Sequence, residues 1–453
     1  MADPRRRGSR PGGRPPARKA AVDASRLAAY DVLKAVRVDG AYTNLVLPTV
    51  LRDAGLTGRD AAFVTELVSG TIRRQGTYDA IIRACLDRPR VEAKVLDALR
   101  LGAHQLLAMR VPTHAAISTS VDLVRARVGP GPAGFSNAVL RRVAEHDLDG
   151  WVRRLAPDPV RDPHGFATVA HAHPRWVVDA LAESLASHGR AGELEQLLAA
   201  DNAAPKVTLV ARPGACDVSE LEAAGGVATG RSPYAVELPG GDPSGITAVA
   251  EGRAGVQDEG SQLVALATAE ALLDGPDAHW LDLCAGPGGK TALLSALAAQ
   301  RGARVLANEL QEHRAQLVRR GVRAVPDGML GVVAGDGTRP AWEQGAFDRV
   351  LVDAPCSGLG ALRRRPEARW RKSREDLTGL VPLQESLLRA ALEALRPEGV
   401  VVYATCSPVV AETTGVVDAV LAAGDDARLE RTQQLWPHVD GTDAMFLAVL
   451  RRT

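Results

Sequence analysis

From Ala21 to about Ala144 apolar residues return every three or four positions. In ASRLAAYDVLKAVRV they fall at Leu27, Tyr30, Leu33 and Val36, one stripe of a helix. GLTGRDAAFVTELVSGTIRRQGTYDAIIRACL repeats the pattern behind a Thr57 cap, and VEAKVLDALRLGAHQLLAM and AAISTSVDLVRARV continue it. No stretch here alternates as a strand does, so residues 21–146 read as an all-α domain. Residues 147–256 are mixed. HPRWVVDALAESL and ELEQLLAADN are helical in period, while PKVTLVARPG alternates and GGVATGRSPYAVELPGG suggests short strands with turns. These predict linker helices plus a small α+β subdomain.

From Gln257 the rhythm changes again. HWLDLC, ARVLANE, MLGVVAGD, FDRVLVDAP and GVVVYATCS are short apolar runs, and helical segments such as KTALLSALAAQ and QEHRAQLVRRGV separate them. Alternating β and α predicts a doubly wound, Rossmann-like α/β domain over 257–453, with a parallel sheet covered on both faces. In such sheets the ligand sits at the carboxyl ends of the strands. Gly286 to Lys290, Glu309, Asp336, Asp353, Cys356 and Cys406 all lie at those ends.

Composition narrows this picture modestly. The 453 residues are 46% hydrophobic and 24% charged, as in ordinary globular proteins. No apolar run reaches the ~20 residues of a membrane helix, and the first 20 residues lack the apolar segment of a secretory signal. A cytoplasmic protein without membrane association is expected. Residues 1–20 hold seven Arg/Lys and one Asp, which leaves a net charge of about −5 on the rest of a +1 chain. This tail, rich in Arg, Pro and Gly, is expected to be disordered, and a nucleic-acid partner would need local basic patches on the body. Five sparse cysteines with no close pair argue against a disulfide framework and against a metal site.

LDLCAGPGGKT (281–291) is a strand end, a Gly-rich turn and the start of a helix, and two ligands fit such a turn. The P-loop pattern G-x-x-x-x-G-K-[ST] matches at Gly289, Lys290 and Thr291 but meets Cys284 where its first Gly should stand. S-adenosylmethionine explains more. Its amino-acid part needs a turn whose backbone can approach closely, and an acid at the next strand end suits its ribose. Glu309 stands about 20 residues on, and Asp336, after the third strand, is placed for the adenine amino group.

Cys356 ends the fourth strand and Cys406 the fifth, so in a doubly wound sheet both thiols reach one pocket. Two thiols suit methylation of cytosine C5. A thiolate adding to C6 makes C5 nucleophilic, and a second thiol helps remove the C5 proton and release the first. Asp353 is placed as an acid near N3. Chemistry alone does not choose between the two thiols.

CAGPGGKT, DAPCSGLG followed by RRRPEARW, and YATCS resemble the motifs of RNA cytosine-5 methyltransferases. The helical region, through AYTNLVLP and FSNAVLRR, resembles the NusB-like, RNA-binding domain carried by the bacterial 16S rRNA B-type branch of that family. The resemblance spans nearly all of the chain beyond the tail. It implies S-adenosylmethionine as cofactor, held by Cys284, Ala285, Gly286, Pro287, Gly288, Gly289 and Lys290, with Glu309, Asp336 and Asp353. It implies Cys406 as nucleophile and Cys356 in release, the reverse of the DNA cytosine-5 enzymes. Gly286 stands where the family's loop has Ala, an exchange expected to be neutral in a turn that works through its backbone.

The run Arg363–Glu375 holds seven Arg/Lys against two Glu. Beside the pocket it suits phosphate contact and base stacking, with Arg363, Arg364, Arg365, Arg369, Trp370 and Arg371 as the candidates. The expected activity is methyl transfer to 16S rRNA by a monomer. The same chemistry on tRNA, a P-loop-like NTPase, and an RNA-binding protein with a decayed enzyme domain are the competing readings.

Overall fold

The computed structural model describes residues 23–87, 90–424 and 426–453, so the expectation for the Arg-rich tail lies outside the described residues. Helices run from Ala24–Val38 to Ala133–Val143 in the N-terminal region with no strand among them. Asp23 caps the first by accepting from the Ser25 N–H, whereas Thr57, at the equivalent place before Gly58–Arg73, makes no side-chain cap bond. The predicted stripe turns inward: Tyr30 and Leu33 are buried with Val32, Leu67, Val68, Leu101 and Leu123, and Leu27 and Val36 pack at the margin. A second cluster joins Tyr78, Ile81, Leu99 and Leu140 to Trp151. Trp151 lies on the helix Leu148–Leu155 and donates its indole N–H to the Val143 carbonyl, so that helix docks on the helical domain.

The next helices belong with the C-terminal half. Val177, Leu181 and Leu198, from Arg175–Ser187 and Leu194–Asp201, pack against Leu359, Leu362, Val409 and Trp436. Strands β1 (Val207–Ala211), β2 (Val227–Ala228), β3 (Ala235–Leu238) and β4 (Ala254–Val256) follow. They form an antiparallel sheet in the order β2-β3-β1-β4, closed by Leu209, Leu221 and Val236.

The C-terminal sheet has seven strands. They are β5 (His279–Asp282), β6 (Arg304–Glu309), β7 (Met329–Ala334), β8 (Phe347–Asp353), β9 (Leu395–Thr405), β10 (Ala427–Gln434) and β11 (Phe446–Arg452), in the order β10-β11-β9-β8-β5-β6-β7. β5 to β9 are parallel and coincide with the five predicted runs. β11 adds antiparallel to β9, and β10 to β11. The chain reverses between β5 and β8, the switch point at which doubly wound sheets take their ligands. Helices cover both faces over cores that include Trp280, Leu293 and Val402 on one side and Leu281, Val350, Leu388 and Phe446 on the other.

Candidate active site

At the carboxyl end of β5 the chain turns through Cys284–Gly288 into the helix Gly289–Ala299. Backbone bonds tie this turn to its neighbours: Leu283 N–H donates to Leu351 and Ala285 N–H to Asn308. Glu309, buried at the end of β6, accepts the Gly286 N–H at 2.9 Å and the Gln311 N–H at 3.1 Å. Arg314 donates to the Gly286 carbonyl at 2.7 Å. The glycines are needed for space and for conformation. Gly288 has φ +110°, and a Cβ there would lie 2.9 Å from the Val318 Cα. A Cβ on Gly286 would lie 2.1 Å from a Glu309 carboxylate oxygen. With Ala in place of Gly286 the Glu309 carboxylate, which occupies the room a methyl group would need, would have to move aside.

Asp336 follows β7, exposed, and its carboxylate accepts from the Thr338 N–H (2.9 Å) and hydroxyl (2.7 Å), which hold its pKa below the usual value. The Glu309 carbonyl accepts from Gly335, so the two acids sit at adjacent strand ends.

Asp353 ends β8 and pairs with Lys290 at 2.8 Å. Burial works against the Lys290 charge, but Asp353 beside it keeps its pKa raised. Lys290 is thus committed to a carboxylate instead of standing free for a phosphate, as a P-loop lysine would.

Sequence reasoning passed over Asp282. It is buried at the end of β5, its Oδ2 accepts the Thr291 hydroxyl at 2.7 Å, and its Oδ1 has no partner. Burial raises its pKa to about 7, and the Asp353 charge adds to the shift. The signal was an acid set inside the apolar run HWLDLC.

Because β8 and β9 are parallel neighbours, with Asp353 opposite Ala404, Cys356 and Cys406 emerge side by side, with sulfurs 3.4 Å apart. The Cys356 S–H hydrogen bond lowers the Cys406 pKa against the effect of burial. Lys290 and Arg365 lower it further, and Asp353 opposes them. The same bond, then burial and the charges of Cys406, Glu412 and Asp353, push Cys356 well above the usual thiol value. The bond therefore favours the thiolate form at Cys406 and the thiol form at Cys356. Cys284 also stays a thiol, pushed up by burial and by Asp282.

A second overlooked acid holds the two cysteine loops together. Glu412 is fully buried and accepts from the Ser357 N–H (2.7 Å), the Ser357 hydroxyl (2.5 Å), the Ser407 hydroxyl (2.6 Å) and the Gln384 amide (3.1 Å). Ser357 and Ser407 each follow one of the cysteines.

The Arg-rich run is not the open RNA-facing loop expected from its charge. Arg369 is fully buried, donating to Asn202 at 2.8 Å and to the carbonyls of Arg73, Ala172 and Asp201. Trp370 donates to the Ile72 carbonyl, and its ring packs on the helical domain's core. Arg371 donates to the carbonyls of Val36, Gly40 and Ala41. Arg363 and Arg364 are paired with Asp258 and Asp443. The segment clasps one domain to another because each guanidinium finds backbone or carboxylate partners that only tertiary folding brings near. Among the six candidates Arg365 is the exception and stays exposed.

Comparison with known proteins gives two family matches. Residues 269–451 match the 16S rRNA methyltransferase RsmB/F family, and residues 23–145 match the NusB family. The ribosomal RNA small subunit methyltransferase B of Pseudomonas putida is 35% identical, over 89% of this chain and 90% of its own length. Rv1407 of Mycobacterium tuberculosis, which carries a methyltransferase name, is 49% identical over 96% and 98%. Among solved structures PH0851 superposes with a TM-score of 0.78 at 19% identity, covering 96% of this chain and all of its own. NSun6 from Pyrococcus horikoshii gives 0.51 at 16%, over 60% of this chain and 97% of its own.

Proposed function

The chain belongs to the 16S rRNA methyltransferase RsmB/F family, and from that premise we propose how its own residues carry the reaction. It is an S-adenosylmethionine-dependent enzyme that methylates rRNA. The acceptor we assign is C5 of a cytosine in 16S rRNA.

The loop suits the cofactor. Its backbone is bare at Gly286, Gly288 and Gly289, and Asp282 beneath it keeps a buried acceptor without a donor. Glu309, which accepts two N–H groups, has lone pairs left for a diol, since a carboxylate takes about four hydrogen bonds. Asp336 and Asp353 complete the rim. S-adenosylmethionine, when bound, supplies an electrophilic methyl group.

The observation that carries the reading is the 3.4 Å pair of sulfurs with opposite pKa shifts. Cys406, the thiolate of the pair, attacks C6 of the cytosine. An S–C6 bond forms and the C5=C6 electrons move toward C5, leaving it nucleophilic. The Lys290–Asp353 pair lies beside Cys406 as the polar group facing the ring's N3 edge. After C5 is methylated, its proton leaves, the S–C6 bond breaks and the electron pair returns to Cys406. Once Cys406 is bonded to C6 it no longer raises the Cys356 pKa, so Cys356 passes its own proton to solvent, takes the C5 proton as a thiolate and, again a thiol, donates to the departing sulfur. The target base must leave any stack for C6 to be reached.

The test is transfer of labelled methyl groups to protein-free small-subunit rRNA and to tRNA, with denaturing gels for protein–RNA adducts. Cys406→Ala is expected to abolish transfer and Cys356→Ala to accumulate an adduct. Full turnover by Cys406→Ala, or label in tRNA alone, would overturn the assignment.

A further inference from the structure

Of the six candidates Arg363, Arg364, Arg365, Arg369, Trp370 and Arg371, only Arg365 has an exposed guanidinium with no ion pair or side-chain hydrogen bond among the described residues. Its one contact is aromatic. The guanidinium lies 5.2 Å from the ring centre of Tyr42, which belongs to the helical domain and is 45% exposed. Tyr42 is fixed on both sides through its backbone neighbours. Thr43 donates its N–H and hydroxyl to Glu367 at 3.1 and 2.9 Å, and Arg371 holds the carbonyls of Gly40 and Ala41. The Arg371 guanidinium also lies 5.3 Å from the ring.

Arg365 is equally tied to the reacting centre. Its N–H donates to Ala361 at 2.8 Å, and Gly360, the preceding residue, donates to the Cys406 carbonyl at 2.8 Å. One turn of chain thus separates the free cation from the backbone of the reactive cysteine. Cys356 contacts the Cys406 sulfur at 3.4 Å, and the charges of Asp353, Lys290 and Arg365 act on it. Lys290 is already paired with Asp353, which leaves Arg365 as the cation open to an incoming anion.

We infer that Tyr42 and Arg365 form a phosphodiester-binding contact for the substrate RNA, built jointly by the helical and catalytic domains. The inference rests on the RNA-methylating reading above. A guanidinium presents a fork that matches a phosphate, and stacking on a ring removes much of its freedom before the ligand arrives. The helical domain then acts through Tyr42 as a positioning residue for the catalytic mouth, in addition to any RNA contact of its own. A phosphate held there brings the neighbouring base to the Cys356–Cys406 pair.

Both side chains are exposed, so substitutions should leave the fold intact. Two measurements on the full chain separate the possibilities. The first is the affinity for a short cytidine-containing single-stranded RNA as a function of salt. Arg365→Gln is expected to weaken binding about 3- to 10-fold and to reduce the slope of log K against log salt by about 0.7, the value of one single-strand phosphate contact. Tyr42→Leu should move both quantities the same way, Tyr42→Phe should restore them, and the Tyr42→Leu/Arg365→Gln double variant should be no weaker than Arg365→Gln alone. The second needs no RNA: the rate of Cys406 alkylation by iodoacetamide against pH, read by peptide mass. Arg365→Gln and Tyr42→Leu should both shift that profile to higher pH. Unchanged salt slopes in Arg365→Gln and Tyr42→Leu, or additive losses in the double variant, would overturn the inference while methyl transfer by the wild type keeps the parent reading. Failure of the wild type to bind RNA at all would overturn both.

Discussion

A single hydrogen bond between two sulfurs is the largest influence holding the Cys406 pKa down. Removing the donor with Cys356→Ala takes away the main force holding Cys406 down, so its alkylation should begin at higher pH than in the wild type. The sign follows from the direction of the shift: a lowered pKa gives thiolate at lower pH, and losing the cause returns the group upward. Equal profiles in the two proteins would refute the coupling. Asp282 shows the opposite case. Its carboxyl stays protonated in the fold up to about pH 7, whereas in the unfolded chain it ionises near the usual value of about 4. Between those limits unfolding releases a proton, so this group's contribution to stability falls as pH rises from about 4 to about 7, by at most about 4 kcal/mol. Asp282→Asn has no proton to lose. Its melting temperature relative to wild type should therefore climb across that window and level off above it, and a pH-independent difference would sink the explanation.

Element by element, the parallel core was readable because its strands are buried on both faces and appear as unbroken apolar runs. Strand β10, Ala427–Gln434, was not, since its residues are almost all exposed and it pairs on one side only. Its Arg and Glu side chains blunt a free sheet edge, a function that leaves no apolar period to find. The sites divide in the same way. Glycines and cysteines at strand ends can be placed from local sequence, but burial of Arg369 or Trp370 depends on partners 168 to 298 residues distant in the chain. Glu412 was overlooked for the same reason: its four donors come from three separate segments. It welds the Cys356 loop to the Cys406 loop, and Glu412→Ala should cost about 3–5 kcal/mol by stranding buried donors and a neighbouring hydroxyl pair. Thermal melting measures that cost. The rate at which a mild oxidant links Cys356 to Cys406 reports whether the sulfurs have separated. An unaltered rate together with a normal melt would show that the loops keep their register without it.

Over the whole molecule, the clasp formed by residues 363–371 joins the helical domain to the sheet domain at the mouth of the reaction site. Arg369 is its most buried member, and Asp201, Asn202, His173 and Arg73 surround it. Arg369→Ala should loosen the union without melting either core, giving two separate calorimetric transitions where the wild type gives one. A single cooperative transition at the wild-type temperature would mean that the clasp contributes little to coupling. The order of synthesis gives this arrangement a further consequence. The helical domain is complete at Val143, but the clasp that covers its Ile72, Gly76 and Thr43 surface is made about 230 residues later. At bacterial rates of about 5–20 residues per second, that docking face waits on the nascent chain for roughly 10–50 s, accessible to chaperones, before the same polypeptide supplies the piece that closes it.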